Sequence, residues 1–399
     1  MYTPSRKRLA NYARVLVEFA LNSGKGIKRG DVVYLATPVS AKPLALEVYK
    51  TILQRGAFPI LSLMDDDFRL TRLQKASDRQ LAFFPEKFYR GLADTIDHWI
   101  RLLAEDDPMF LKDIPPARIM RDNTSSRPFR RWLDKKEDHG RFTWTLCLYP
   151  TEGMARQAGM SLRDYWKEVE NACFLDAHDP IAKWRQVFGQ IQRILGKLNR
   201  MPIARLHMTA PGTDLWLTLG EKRRWMGGRG RNIPSFEIFT SPDWRGTEGA
   251  IAFDLPLFRH GNLIKGISLD FEKGRITRAS ARSNQAFLKK MISQKNADKI
   301  GEFSLTDRRF SRISRYMANS LYTENFGGEH GNTHLAVGNS YHDAYAGDPK
   351  ALTDAQFAAL GFNESAEHTD IIATTNRRVD AVLKDGRTVL IYENGEFQI

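Results

Sequence analysis

Near residue 203 the pattern of apolar residues changes character. Before it, short apolar runs alternate with segments of helical period. GDVVYLATPVSAKPLALEVYKTILQRGAFPILSL opens as a strand, passes a loop with Pro38 and Pro43, continues as a helix and ends in a second strand after Gly56. After Ile203 come ARLHMTA, TDLWLTLG, NIPSFEIFTS, GAIAFDLPLF and NLIKGISLDFEKGRITRAS, short alternating stretches separated by turns. Strand-helix-strand units build parallel sheets covered by helices, whereas alternating strands joined by turns build antiparallel ones. A chain of 399 residues also exceeds what one core usually holds. The expectation is an N-terminal α/β domain over residues 1–190 and a C-terminal α+β domain over 191–399 with a largely antiparallel sheet.

Within the first part, a basic amphipathic helix opens the chain and the stretch from Asp78 to Leu111 reads as mostly helical. RFTWTLCLYP is a strand ended by Pro150, and MSLRDYWKEVENACFLD is a helix with Ser161 as N-cap. DPIAKWRQVFGQIQRILGKLNRM is a long connecting helix whose Trp184, Val187, Ile191 and Ile194 belong to the core. In the second part a helix from Asn284 to Gln294 precedes a loop-rich stretch from Gly301 to Gly347. A helix capped by Thr353 and strands around DIIATT, RRVDAVL and TVLIYENGEF follow. The TPVSAKP loop lacks the spaced glycines of a dinucleotide or phosphate loop, so the first unit reads as scaffold.

With 42% hydrophobic, 11% aromatic and 27% charged residues, the chain is an ordinary folded protein rather than a disordered one. No run approaches the roughly eighteen apolar residues of a membrane span, and the first residues lack a signal-peptide core, so a cytoplasmic location without a membrane partner is expected. Cys147 and Cys173 are too few for a disulfide framework or a thiolate metal cage. The net charge of +13 is concentrated in ARIMRDNTSSRPFRRWLDKK, EKRRWMGGRGRN and TDRRFSRISR. No helix-turn-helix, zinc-finger or RNP pattern accompanies these stretches. A solvated basic surface or an electropositive approach for an anionic substrate therefore ranks above a nucleic-acid site.

Several polar residues stand at the margins of apolar runs. In A-E-H-T-D-I-I-A-T-T, His368 and Asp370 are two apart, which in a strand puts them on one face. They form either a hydrogen-bonded pair or half of a metal site. E-H-G-N-T-H places His330 and His334 four apart, but the glycines argue against a helix and the zincin glutamate is missing. Glu248 in R-G-T-E-G and Glu302 in I-G-E-F-S-L, each taken alone, read as turn carboxylates, and His334 alone reads as structural.

Taken together and in order, R-G-T-E-G, I-G-E-F-S-L, T-H-L-A-V-G-N-S-Y and E-H-T-D resemble the thermophilic-type metallo-aminopeptidases, the aminopeptidase T and aminopeptidase S family. The resemblance extends to GDVVYLATPVSAKPLALEVYK, YPTEGMARQAGMS, NIPSFEIFTSPDWRGTEG and ENGEF, nearly the whole chain. It implies metal ligands at Glu248, Glu302, His334, His368 and Asp370 and an active-site tyrosine at Tyr341. It also implies short peptides as substrates and a homodimer; the mixed oxygen and nitrogen set suits two divalent cations (Zn, Co, Mn or Mg), with Glu302 as the expected bridging and catalytic carboxylate and the general base left open between a ligand carboxylate and an outer group. Two departures stand out. Relatives usually carry proline-aspartate-glycine-glutamate where this chain has P-S-F-E at Pro234–Glu237, and they are apolar where this chain has TDRRFSRISR. The rival functions are a basic nucleic-acid-binding protein on a retained peptidase fold and a two-metal hydrolase of non-peptide amides or esters.

Overall fold

The computed structural model describes residues 2–228, 230–259 and 262–399. The chain divides into two units, Met1–Arg185 with Arg229–Pro234, and Gln186–Gly228 with Ser235–Ile399. The long helix Pro180–Leu198 runs through the division, with Trp184, Val187, Ile191 and Ile194 all buried.

The first unit is built on a five-stranded parallel sheet in the order Phe58–Met64, Val32–Pro38, His98–Leu103, Thr143–Leu148, Asn232–Ile233. The inner strand Val32–Pro38 buries Val33, Leu35 and Thr37 on one face and Ala36 on the other, as a strand covered on both faces does. Its helices are locally encoded. Ser161 caps Leu162–Ala172 by accepting from Asp164 N–H, and Lys42–Gln54 has proline in its first turn. The strand His98–Leu103 lies inside the segment expected to be helical. HWIRLL is too short to show a period, and the sheet on both sides of it overrides local preference.

The second unit carries two larger sheets. The eight-stranded one is antiparallel, in the order Arg275–Ser280, Ile267–Glu272, Asp243–Phe253, Thr213–Thr218, Ile203–Ala210, Arg378–Leu383, Thr388–Glu393, Glu396–Phe397. The five-stranded one runs His368–Ala373, Asn332–Gly338, Ile300–Thr306, Glu237–Thr240, Met226–Gly227, also antiparallel. The α/β plus α+β architecture read from the sequence is therefore present. Two local expectations change. NIPSFEIFTS is not one strand: Asn232–Ile233 joins the first unit's sheet and Glu237–Thr240 the second's, because Pro234 between them has no N–H for a ladder. The stretch expected to be rich in loops holds Ile300–Thr306 and Asn332–Gly338, both buried at every position. The short apolar strand expected from His334, ended by a turn at Gly338, is there; Ile300–Thr306 is not marked in the sequence because a strand buried on both faces shows no alternation.

Part of the positive charge is structural. Arg223 donates to the carbonyls of Ser241 and Leu360, Arg309 pairs with the fully buried Asp307, and Arg308 and Arg309 both reach Glu396. Cys147 and Cys173 are buried, and burial pushes the Cys147 thiol up, so it is inert. Among the described residues no helix is long and apolar enough to cross a membrane.

Candidate metal centre

The site grows out of the register of the five-stranded sheet. Residues paired across neighbouring antiparallel strands point to the same face, as do residues two apart along one strand. Glu302 pairs with Ala336, which pairs with Asp370; Ser304 pairs with His334 on one side and Phe239 on the other; Gly338 pairs with His368, and Thr306 with Glu237. Glu237, Glu302, His334, His368 and Asp370 therefore share one face, contributed by four adjacent strands. An irregularity between Ile300 and Glu302 bends the strand just before the glutamate, the kind of bulge that re-aims a side chain. Gly338, opposite His368, has φ +104°, and a Cβ there would collide with the Glu367 carbonyl.

The side chains converge as two groups, Glu237 with Glu302 and His334, and Glu302 with His368 and Asp370, each with ligand atoms within 4.8 Å of one another. His334 Nε2 lies 3.1 Å from Glu302 Oε1 and 3.5 Å from Glu237 Oε2. His368 Nε2 lies 3.7 Å from Glu302 Oε2 and 3.4 Å from Asp370 Oδ1. One glutamate thus presents one oxygen to each histidine. His368 Nδ1–H donates to the Asn339 carbonyl at 2.8 Å, which leaves Nε2 unprotonated in the neutral ring and turned toward the carboxylates.

The electrostatics is that of a crowded buried anion cluster. Burial and the neighbouring Glu302 carboxylate push Glu237 up to about 8. Burial opposes charge on His334, but the bond to Glu302 and the fields of Asp370, Glu302 and Glu237 outweigh it and raise the ring to about 9. His368 is likewise raised to about 9, burial being outweighed by Asp370 and Glu302. For Asp370 burial is outweighed by His368 and His334, which hold it well below the usual carboxylate range. Protons on the imidazoles and on Glu237 balance the cluster in this form. Divalent cations would balance it equally. Three carboxylates and two imidazoles, presented as single oxygens and Nε2 atoms, form a donor set suited to Zn²⁺, Co²⁺ or Mn²⁺, and the residues present fit such ions.

Tyr341 stands at the rim, 42% exposed, its backbone N–H donating to Ser241 Oγ at 2.9 Å. Its ring meets His368 edge-on at 4.9 Å and Phe239 at 5.7 Å between centroids. Partial burial and the carboxylates of Glu302, Asp370 and Glu237 raise the phenol, so it is a hydrogen-bond donor at neutral pH.

Of the residues picked out in the sequence, Glu302, His334, His368 and Asp370 come together, with Tyr341 against His368. Glu248 does not. It lies on Asp243–Phe253 in the eight-stranded sheet, its Oε1 accepts from the Lys273 N–H at 2.8 Å, and it belongs to neither group. The third carboxylate is Glu237, which ends the P-S-F-E run. The signal was the glutamate that this run keeps while its two preceding residues depart from the relatives' pattern.

Aminopeptidase T of Thermus aquaticus is 27% identical over 407 residues, covering 96% of this chain and 98% of that protein. Aminopeptidase 2 of Geobacillus stearothermophilus is 26% identical over 411 residues, covering 98% of each. The solved structure of wild-type AmpT from Thermus thermophilus shares the fold with a TM-score of 0.85 at 23% identity, over 99% of this chain and 100% of that one. A family model described as thermophilic metalloprotease (M29) matches residues 5–397. Because that match spans both units and includes every residue of the two carboxylate–histidine groups, the chain belongs to the thermophilic metalloprotease (M29) family.

Proposed function

We propose that this protein is a metal-dependent aminopeptidase that removes N-terminal residues from short peptides. The observation that carries the reading is Glu302, whose two oxygens face two different histidines and so connect two ligand groups. Glu237, Glu302 and His334 would hold one divalent cation, and Glu302, His368 and Asp370 the other, with Zn²⁺, Co²⁺, Mn²⁺ or Mg²⁺ as candidate ions. When bound, the pair supplies a nucleophilic hydroxide near neutral pH and polarises the scissile carbonyl.

The chain's own residues do the rest. Glu302 fixes the spacing of the two groups from the centre of the sheet. The Asn339 carbonyl keeps His368 in the tautomer that offers Nε2. Tyr341, held by Ser241 and by the His368 ring, donates its phenolic hydrogen bond to the oxyanion of the tetrahedral intermediate. A free, neutral α-amine is a nitrogen donor like the two imidazoles and suits the same centre, which favours exopeptidase action.

The enzyme is inferred to be a cytoplasmic homodimer. Supporting the dimer, the edge strand Phe58–Met64 exposes Phe58, Leu61, Leu63 and Met64, an unpaired apolar edge of the kind that recruits another chain. Light scattering should give twice the chain mass, and Leu61→Glu with Leu63→Glu should reduce it to one; a monomeric wild type would remove the inference.

The decisive experiment is hydrolysis of an aminoacyl-nitroanilide panel by metal-loaded protein beside His368→Ala. Activity in the wild type and its loss in the variant are expected. Equal activity in both would overturn the site. If the protein binds two cations yet cleaves no peptide, the substrate is a non-peptide amide or ester.

A further inference from the structure

The two ligand groups are each built over a small residue of the sheet floor. Ala336 lies between Glu302 and Asp370 in one cross-strand row, with His368 one row beyond it, opposite Gly338. Ser304 lies between Phe239 and His334, with Glu302 two residues before it and Glu237 opposite Thr306 two residues after it. All of these side chains leave the same face. The floor under the His368 group is therefore a methyl, and the floor under the His334 group is a hydroxyl.

Several buried hydroxyls lack a partner among the described residues, but only that of Ser304 belongs to a residue with ligand residues beside it on the same face. Ser304 is fully buried, and among the described residues its Oγ has no hydrogen-bond partner, although a buried hydroxyl left unsatisfied is costly and most find one. The usual outlet, a carbonyl of its own chain, is not used. By strand register the residue lies beside His334, two positions from Glu302 and diagonal to Glu237, on the face that carries those three side chains.

We propose that Ser304 is the fourth contributing side chain of the Glu237–Glu302–His334 group, its Oγ facing the cation held there. The proposal rests on the two-cation reading above and adds an inequality to it. A neutral oxygen joins two carboxylates and one imidazole at this group, while the His368 group has one imidazole, two carboxylates and only a methyl beneath. Oxygen donors favour the harder ions Mg²⁺ and Mn²⁺, as a serine hydroxyl does at phosphate-loop magnesium sites. The His334 group is therefore the tighter site for Mn²⁺.

The test is calorimetric titration of the full chain, stripped by chelator, with Mn²⁺ alone, with the melting curve of each variant recorded beside it. The wild type should bind in two distinguishable steps. Ser304→Ala should weaken the tighter step by about tenfold, the lower end of what removing a supporting group costs, and leave the other unchanged. Ala336→Ser, which places a hydroxyl under the His368 group, should strengthen the weaker step and keeps the proposal testable if Ser304→Ala does not fold. Ser304→Ala binding with wild-type affinities in both steps overturns the proposal, as does an Ala336→Ser protein whose weaker step is unmoved. His334→Ala and His368→Ala separate the two levels of inference. If each removes one step while Ser304→Ala changes nothing, only the role of Ser304 fails; if neither removes a step, the two-cation reading fails with it.

Discussion

The two halves of the metal centre share Glu302 and differ in almost everything else. His334 is 1% exposed, lies in an inner strand of the sheet, and its Nδ1 has no partner among the described residues. The His368 side chain is 23% exposed, lies on an outer strand, has Nδ1 fixed by the Asn339 carbonyl, and supports the exposed Tyr341 ring. One half is an interior feature whose geometry is set by packing. The other faces solvent and is set by a hydrogen bond and an aromatic edge. The difference separates a packed interior half from a solvent-facing one, with one carboxylate connecting them.

The strongest way to break that comparison is to remove what the halves have in common. Glu302→Gln should lower hydrolysis by at least about 10³-fold, beyond the 10–100-fold cost of losing an outer group, and should lower the affinity for both cations. A variant retaining one normal binding step would show that Glu302 is not shared. Next in size, Tyr341→Phe should reduce kcat by about 10²–10³-fold with KM nearly unchanged, the signature of a donor used in the transition state. A change confined to KM would move Tyr341 from chemistry to binding.

The pH dependence tests both halves together. His334 and His368 are raised to about 9 from 6.5, so the metal-free protein gains stability from them that is fully present below pH 6.5 and is lost as pH rises through about 9. Glu237, raised to about 8, acts in the same direction, because ionising it inside the cluster is unfavourable. Asp370 acts oppositely at the acid end: its contribution is present above its ordinary value near 3.8 and is lost as pH falls through its depressed one. Chemical denaturation of the chelated protein should thus show stability falling between pH 6.5 and 9, a fall that saturating metal removes. Metal binding near pH 7 should release protons, read as a dependence of the binding enthalpy on the buffer's ionisation heat. The smallest expected effect is that of Glu248→Gln, whose carboxylate accepts from a backbone N–H in the turn between Ile267–Glu272 and Arg275–Ser280: less than about twofold on activity and no change in metal stoichiometry. Loss of a cation in that variant would restore Glu248 to the site.

Local sequence signals were legible wherever the chain interacts with itself over a few residues. Ser161 and Thr353 cap the helices they were expected to cap, the latter with Gln356 completing a reciprocal box. The buried stripe of the connecting helix follows its 3.6-residue period. The same-face geometry of His368 and Asp370 followed from a two-residue spacing in a strand, and both do approach Glu302. Strands that became central were harder to see. The runs holding Glu302 and His334 are buried on both faces and carry no alternation that would mark their bounds, while HWIRLL, whose burial does alternate, is too short for that period to be told from a helical one.

The sequence by itself determined the two-part architecture, the caps and the connecting helix, because each depends on local period; it pointed to four of the five residues that converge only through the resemblance that short motifs in shared order bear to a known family. Only the tertiary structure decided that Glu237 rather than Glu248 joins them. Both glutamates border apolar runs in neighbouring strands of the sequence, only eleven positions apart. The chain places one in the sheet that pairs with Ile300–Thr306 and the other in the sheet that pairs with Thr213–Thr218. Strand pairing is a long-range choice made by the whole packed unit, and the register it sets fixes which carboxylate shares a face with His334.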